Sequence, residues 1–144
     1  MKAVRQGGFS LVEILVVLVI MGLLISVVAP TVLNQADDAR VQKVHADFKA
    51  IETALKIYRL DNYVYPSTEQ GLEALVTAST LDPEPRNFKT GGYLPELPID
   101  PWGNPYLYLS PGENGEYDLY TLGVDGVSGG EGPNKDLGNW KEEE

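Results

Sequence analysis

The chain contains no cysteine. That excludes a disulfide framework, thiol nucleophiles and thiolate metal ligands. There is one histidine, His45, and it lies beside a helical stripe where it reads as a solvated residue. No Ser–His pair or paired-acid pattern has supporting context, so the chain does not read as an enzyme. Positive charge is scarce, with 11 Lys and Arg against 21 Asp and Glu and a net charge of −10. A nucleic-acid surface needs clustered Lys and Arg, so that partner is excluded. An acidic balance suits a domain outside the cytoplasm and suits a divalent cation. The glycine-rich stretch near the C-terminus lacks Gly-Lys-Ser/Thr and opens no helix, which excludes a phosphate cradle of the P-loop kind.

What the chain does have is a long apolar run near its start, residues 8–30, that organises the rest. Residues 14–36 carry no charge, a run of about 23. As a helix this is roughly 34 Å long, enough for a bilayer core of about 30 Å. Val, Ile and Leu make it apolar on every side. Lys2 and Arg5 precede it, and Asp37 and Asp38 come after it. The positive-inside bias then predicts a cytoplasmic N-terminus at the inner membrane and a periplasmic C-terminal bulk. Glu13 sits at the beginning of the run. A carboxylate deep in a bilayer costs on the order of 2 to 3 kcal/mol and calls for a partner.

The Gly7-Gly8-Phe9 junction stands before the apolar run, whereas a secretory signal carries its cleavage site after it. A cut after Gly8 would remove only the polar leader, taking Lys2 and Arg5 with it and leaving a net charge of −12. Gly8, Phe9, Ser10, Leu11, Val12 and Glu13 resemble the class III signal of type IV pilins and pseudopilins, whose pattern is Gly, cut, Phe, Thr/Ser-Leu-x-Glu. The alternative is a plain signal anchor with an incidental Glu. The domain division is then residues 1–8 a leader, 9–36 the transmembrane and assembly half of a helix, and 37–144 a periplasmic globular domain of about 108 residues, enough for one small core.

No turn cluster interrupts residues 31–60, so one helix is predicted over about residues 9–60, with a bend or local loosening at Pro30. Val41, Val44, Phe48, Ile51, Leu55 and Tyr58 recur at steps of three and four, one apolar stripe of that helix. The stripe either packs on the chain's own sheet or serves a coiled-coil dimer. Asn62, with its tolerance of left-handed backbone, and Pro66 close the helix. Ser67 and Gln70 form a capping-box pattern, predicting a short helix to about Val76 with Leu72, Leu75 and Val76 inward. Residues 77–98 read as an irregular, variable surface loop. Residues 100–106 form a rigid turn. Strands are predicted at 106–109 and 117–122 around a hairpin loop, with a third, short one at 136–140. Trp102, Trp140 and the tyrosines read as packing residues. The fold class is α+β: a long N-terminal helix packed on a small C-terminal antiparallel sheet.

Four runs narrow the resemblance: 63–72 (Tyr-Val-Tyr-Pro-Ser-Thr-Glu-Gln-Gly-Leu), 97–106 (Leu-Pro-Ile-Asp-Pro-Trp-Gly-Asn-Pro-Tyr), 122–126 (Leu-Gly-Val-Asp-Gly) and 136–140 (Asp-Leu-Gly-Asn-Trp). In order, and over nearly the whole chain, they resemble the G-type major pseudopilins of the type II secretion system, with their type IV pilin-like fold. Type IV major pilins share the N-terminal third but usually carry a C-terminal disulfide. The departures here are the loop around residues 81–91 and the acidic tail Glu142, Glu143 and Glu144. The resemblance implies cleavage after Gly8 by prepilin peptidase, which also methylates the Phe9 amine. It implies storage in the lipid bilayer of the inner membrane. It also implies assembly there, with copies of itself, minor pseudopilins and an inner-membrane platform, into a helical pseudopilus that helps export folded proteins through the outer membrane. Glu13 would serve assembly by pairing with the Phe9 amine of a neighbour. Two other readings stay open: a type IV pilin or competence pseudopilin, and a membrane-anchored calcium-binding domain.

Residues 122–136 hold five glycines with Asp125, Glu131, Asn134 and Asp136. Ordering so many glycines is costly. Oxygen ligands converging on one hard cation would offset that, and calcium accepts irregular sets of six to eight oxygens. A disordered loop is the alternative. The resemblance implies a Ca2+ site here, with Asp125 and Asp136 as side-chain ligands and Leu122 and Val127 giving backbone carbonyls. Where the family often carries another acid just before Asp136, this chain has Lys135, and Asn134 is the substitute oxygen.

Overall fold

The computed structural model describes residues 8–140, apart from the side chains at 27–34 and 133. Residues 1–7 and 141–144 lie outside the described residues. The chain divides into two compact units, Met1–Ala39 and Arg40–Glu144.

Helix α1 spans Leu11–Asn62, within two residues of the expected bounds. It runs continuously through Pro30, the position of the expected bend; the side chains of residues 27–34 lie outside the description. In the first unit the apolar side chains between residues 9 and 25 are 46–83% exposed, so the described chain covers none of the faces of this half-helix. Among the described residues no helix is long and apolar enough to cross a membrane. The span expected over 9–36 includes side chains 27–34, which lie outside the description.

In the second unit the predicted stripe is the core. Val44, Phe48, Ile51, Leu55 and Tyr58 are buried, joined by Ala54 on the same face, and Val41 is half-buried. Leu72, Ala74, Leu75, Tyr106, Tyr117 and Leu119 complete one cluster. The stripe is therefore used within the chain, which decides against the coiled coil. Edge-to-face contacts of Phe48 with Tyr106 at 5.4 Å and Tyr65 with Tyr117 at 4.8 Å give the aromatic residues the packing role expected of them.

Strands β1 (Leu107–Leu109), β2 (Asp118–Thr121) and β3 (Leu137–Gly138) form an antiparallel sheet in the order β1-β2-β3. Tyr108 faces Leu119 across β1 and β2, and Thr121 faces Leu137 across β2 and β3. A Cβ on Gly138 would lie 2.4 Å from the Trp140 ring. Only glycine lets that indole lie over β3, where it packs tilted against Tyr120 with ring centroids 5.9 Å apart. The hairpin loop between β1 and β2 is organised by the buried Asp118, whose carboxylate accepts from Glu113 N (2.8 Å), Asn114 N (3.2 Å) and Asn114 Nδ2 (3.0 Å).

Two local expectations need correction. The left-handed residue that ends α1 is Tyr63, at φ 69°, not Asn62. Asn62 stays helical because its buried amide is needed elsewhere: it donates to Tyr58 O (3.0 Å) and accepts from Asn87 N (2.9 Å). The Ser67–Gln70 capping box forms reciprocally, Ser67 N to Gln70 Oε1 at 2.9 Å and Gln70 N to Ser67 Oγ at 3.3 Å. Beyond it, however, the chain makes only a 3₁₀ turn, Leu72–Leu75. That turn is entered through Gly71 at φ 61°, a backbone conformation incompatible with α-helix. The 77–98 loop has no regular structure, yet it is fastened: Gln70 Nε2 donates to Leu81 O (2.8 Å) and Pro83 O (2.9 Å), and Leu75 O accepts from Tyr93 N (2.7 Å).

Burial pushes the Tyr108 hydroxyl up to about 12, and raises Tyr106 (burial first, then its hydrogen bond to Asp47) and Tyr117 as well. The buried form is the neutral one. In the unfolded chain these groups lose their protons near pH 10, so the folded state holds more protons above that pH. All three contribute fully below pH 10; Tyr108's contribution is lost as pH rises through about 12, and those of Tyr106 and Tyr117 fall at still higher pH. The second unit should therefore melt at a constant temperature up to about pH 10 and progressively lower beyond it, with tyrosinate absorbance of the buried set appearing together with unfolding. A melting temperature indifferent to pH across that window would contradict the burial of these hydroxyls.

Candidate functional site

Two places carry the residues singled out by sequence. The first is the start of α1. Gly8 and Phe9 are exposed, Phe9 at 81%, so the junction is accessible. Ser10 is the N-cap: its Oγ accepts from Val12 N (3.3 Å), its carbonyl accepts from Glu13 N (3.1 Å) and Ile14 N (3.2 Å), and its own N donates to Glu13 Oε2 (3.4 Å). Only the Glu13 half of a Ser-x-x-Glu capping box forms, because Ser10 Oγ takes Val12 N and not Glu13 N. In the single chain Glu13 thus satisfies an orphan backbone donor of its own helix and lies where the helix dipole favours negative charge.

The second place is the loop that joins β2 to β3. Its ends are fixed by the Thr121–Leu137 pair. Leu122 is half-buried at its start, while Asp125, Val127 and Asn134 are exposed. Asp125 Oδ1 accepts from Val127 N (3.1 Å), a turn closed by the side chain. Asp136 Oδ2 accepts from Gly129 N (2.8 Å) and from Ser128 Oγ at 3.4 Å. The carboxylate therefore draws the middle of the loop back to its end. Asp136 Oδ1 is buried and has no hydrogen-bond partner among the described residues. An ionised oxygen left so is expensive, and a cation would satisfy it.

Asn134 lies in a 3₁₀ turn, Gly132–Asn134, and no hydrogen bond among the described residues ties its amide to Asp125 or Asp136. Its backbone is held by Gly130, at φ 92°, where a Cβ would come 2.5 Å from Asn134 O. No group of three or more His, Cys, Asp and Glu that could hold a metal occurs among the described residues. A site here would have to combine two carboxylates with carbonyl oxygens, which is a donor set for calcium and not for zinc.

One residue that matters to this loop escapes sequence reasoning. Asn139 Oδ1 accepts from Leu119 N (3.0 Å) and Asn139 N donates to Leu119 O (2.9 Å). The side chain continues the β2–β3 ladder where the backbone leaves it. An Asn after a Leu-Gly pair carries no signal, because what it pairs with is set by the fold.

Residues 31–140 match the family model described as "Type II secretion system (T2SS), protein G", and residues 4–29 match the prokaryotic N-terminal methylation motif. The chain is 53% identical over 140 residues to the type II secretion system core protein G of Pseudomonas aeruginosa, covering 97% of this chain and 99% of that one. It is 55% identical over 139 residues to the core protein G of Vibrio cholerae, covering 96% and 94%. Among solved structures it is similar to the major pseudopilin from the type 2 secretion system of enterohaemorrhagic Escherichia coli. The TM-score is 0.68 at 48% identity, over 75% of this chain and 92% of the other.

Replacing Gly130 by alanine should destabilise the loop by about 1 to 2 kcal/mol for the left-handed backbone alone, with the contact to Asn134 O added. Amide exchange over residues 122–136 should rise while that of α1 stays unchanged. Unaltered protection in the loop would contradict the close approach of Gly130 to Asn134.

Proposed function

The chain belongs to the type II secretion system protein G family, and on that basis we propose that it is the major subunit of a pseudopilus. The observation that carries the reading is the apolar half-helix of residues 9–25, exposed on every face, directly behind a junction with the N-terminal methylation motif. Such a surface is stable only in a bilayer or packed against copies of itself. The subunit is stored in the inner membrane with its N-terminus cytoplasmic and residues 37–144 periplasmic. Prepilin peptidase cuts after Gly8 and methylates the Phe9 amine. The mature subunit then joins minor pseudopilins and the inner-membrane platform in a helical fibre that helps move folded proteins out through the outer membrane.

In the fibre Glu13 exchanges its bond to Ser10 N for the Phe9 amine of a neighbour. Two charges buried together in low dielectric offset each other, and removing one leaves the other with the full penalty. Glu13→Leu should therefore insert and be processed, because the residue lies after the cut, yet form no fibres. Coexpression of the native chain with prepilin peptidase should lower its mass by residues 1–8 and raise it by one methyl group. A mature N-terminus anywhere else, or normal fibres from Glu13→Leu, would sink the corresponding step.

The loop of residues 122–136 is proposed to hold calcium, with Asp125 and Asp136 as carboxylate ligands, Leu122 and Val127 as carbonyl donors and Asn134 as a further oxygen. Support comes from the orphaned Asp136 Oδ1, an oxygen that a hard cation would satisfy. The ion would supply positive charge that ties the end of the chain to β2. Binding to the folded state alone stabilises by roughly 2.7 kcal/mol at a hundredfold excess over Kd, a melting shift of about ten degrees or more for a domain this size. The entire core lies within residues 44–119, so the fragment from Gln35 carries its own core. It should melt lower in EDTA, recover with calcium, and recover poorly with magnesium, which demands octahedral geometry. Asp125→Ala should resemble the EDTA sample. Equal melting temperatures with EDTA and calcium would remove the site.

A further inference from the structure

A chain of polar contacts runs from α1 to the base of the proposed calcium loop. Lys43 Nζ donates to Asp47 Oδ2 (2.6 Å) and to Ile99 O (2.8 Å), and the Tyr106 hydroxyl donates to the same Asp47 oxygen (2.6 Å). Both ends of the 99–106 turn are thereby anchored on the helix. Inside that turn, Asp100 Oδ1 accepts from Trp102 N (3.0 Å) and Asn104 N (2.7 Å). Its other oxygen, Oδ2, accepts from Thr121 Oγ1 at 2.6 Å. Asp100 is 2% exposed and Thr121 1%.

Thr121 is the last residue of β2 and pairs with Leu137, the first of β3. These two are the posts on which the whole 122–136 loop stands. Leu122 is bonded to one post and Asp136 to the other. Nothing in strand formation requires a hydroxyl at Thr121, since a β-branched apolar residue serves a ladder as well. The hydroxyl instead meets a carboxylate oxygen in a fully buried place, at a charge-assisted distance. Asp100 needs only Oδ1 to organise its own turn. The Oδ2 contact fixes something outside the turn, namely the first post of the loop.

We propose that Thr121 and Asp100 are positioning residues of the calcium site: their hydrogen bond clamps the start of the loop against a turn anchored on α1. The carbonyl of Leu122 and the carboxylate of Asp136 are thereby presented in one fixed register. This rests on the calcium reading of the loop. Outer partners that orient ligands are worth about 10- to 100-fold in metal affinity, so Thr121→Val, which keeps shape and removes the donor, should bind calcium about tenfold or more weakly. Thr121→Ser, which restores the hydroxyl, should bind as the native chain does.

The test is calorimetric titration of calcium into the full chain in detergent micelles, native and variant, at a temperature well below melting, with circular dichroism in EDTA confirming that each variant is folded. Thr121→Ala, which removes the hydroxyl without adding a methyl, carries the same expectation and stands in if Thr121→Val does not fold. A purely structural bond would lower the melting temperature in EDTA but leave calcium affinity in the folded state unchanged. Native binding with equal binding by a folded variant lacking the hydroxyl therefore overturns the proposal alone. No calcium uptake by the native chain overturns it together with the calcium reading.

Discussion

Everything in the second unit depends on burying one stripe of α1. Val44, Phe48, Ile51, Leu55 and Tyr58 are all at most 4% exposed. The rest of their buried cluster is Ala54 of the same helix, Leu72, Ala74 and Leu75 of the 3₁₀ turn, and Tyr106, Tyr117 and Leu119, beside strands of only three, four and two residues. Such short strands form few ladder bonds, and no disulfide supplements them. Cohesion comes instead from the apolar cluster and from buried polar side chains that bond to irregular backbone: Asp100 in the 99–106 turn, Asp118 in the hairpin loop, Asn62 and Gln70 against the 77–98 loop. A buried group of this kind costs about 1 to 3 kcal/mol if its partner is removed. Each is therefore stabilising only while the segment it holds stays in place, which couples the loops to the core.

The two halves of α1 meet opposite demands. The second has its apolar stripe covered by the chain itself. The first exposes apolar side chains on every face, and only lipid or other helices can cover them. The surface left open to neighbours is therefore not the surface that holds the fold. Glu13 fits the same pattern. In the single chain it accepts from Ser10 N and so has a partner within its own helix.

At the other end of the chain, the loop between β2 and β3 is spanned by only two strand residues on its far side. Asn139 extends that ladder with its side chain, Trp140 lies over Gly138, and Asp136 gathers Ser128 and Gly129. One carboxylate oxygen of Asp136 remains without a partner among the described residues. The loop is thus organised around a carboxylate with one buried oxygen unbonded among the described residues, the observation on which the calcium proposal rests.

Sequence alone is enough for the long helix, its apolar stripe and the sheet's strands to within about two residues. Each of these is a local matter of periodicity or spacing: side chains three and four apart share a helix face wherever the helix goes. The partner that each buried polar group takes is settled only in three dimensions. Asn62 has the chemistry of a helix cap and instead receives Asn87 across the loop. The capping box at Ser67 and Gln70 leads to a 3₁₀ turn because Gly71 takes a left-handed conformation. Asp100 and Thr121 meet although 21 residues apart. A hydrogen bond between distant residues has no period in sequence. It exists only once the core has fixed where two segments cross, and in this chain the core is legible from the residues while the crossings are not.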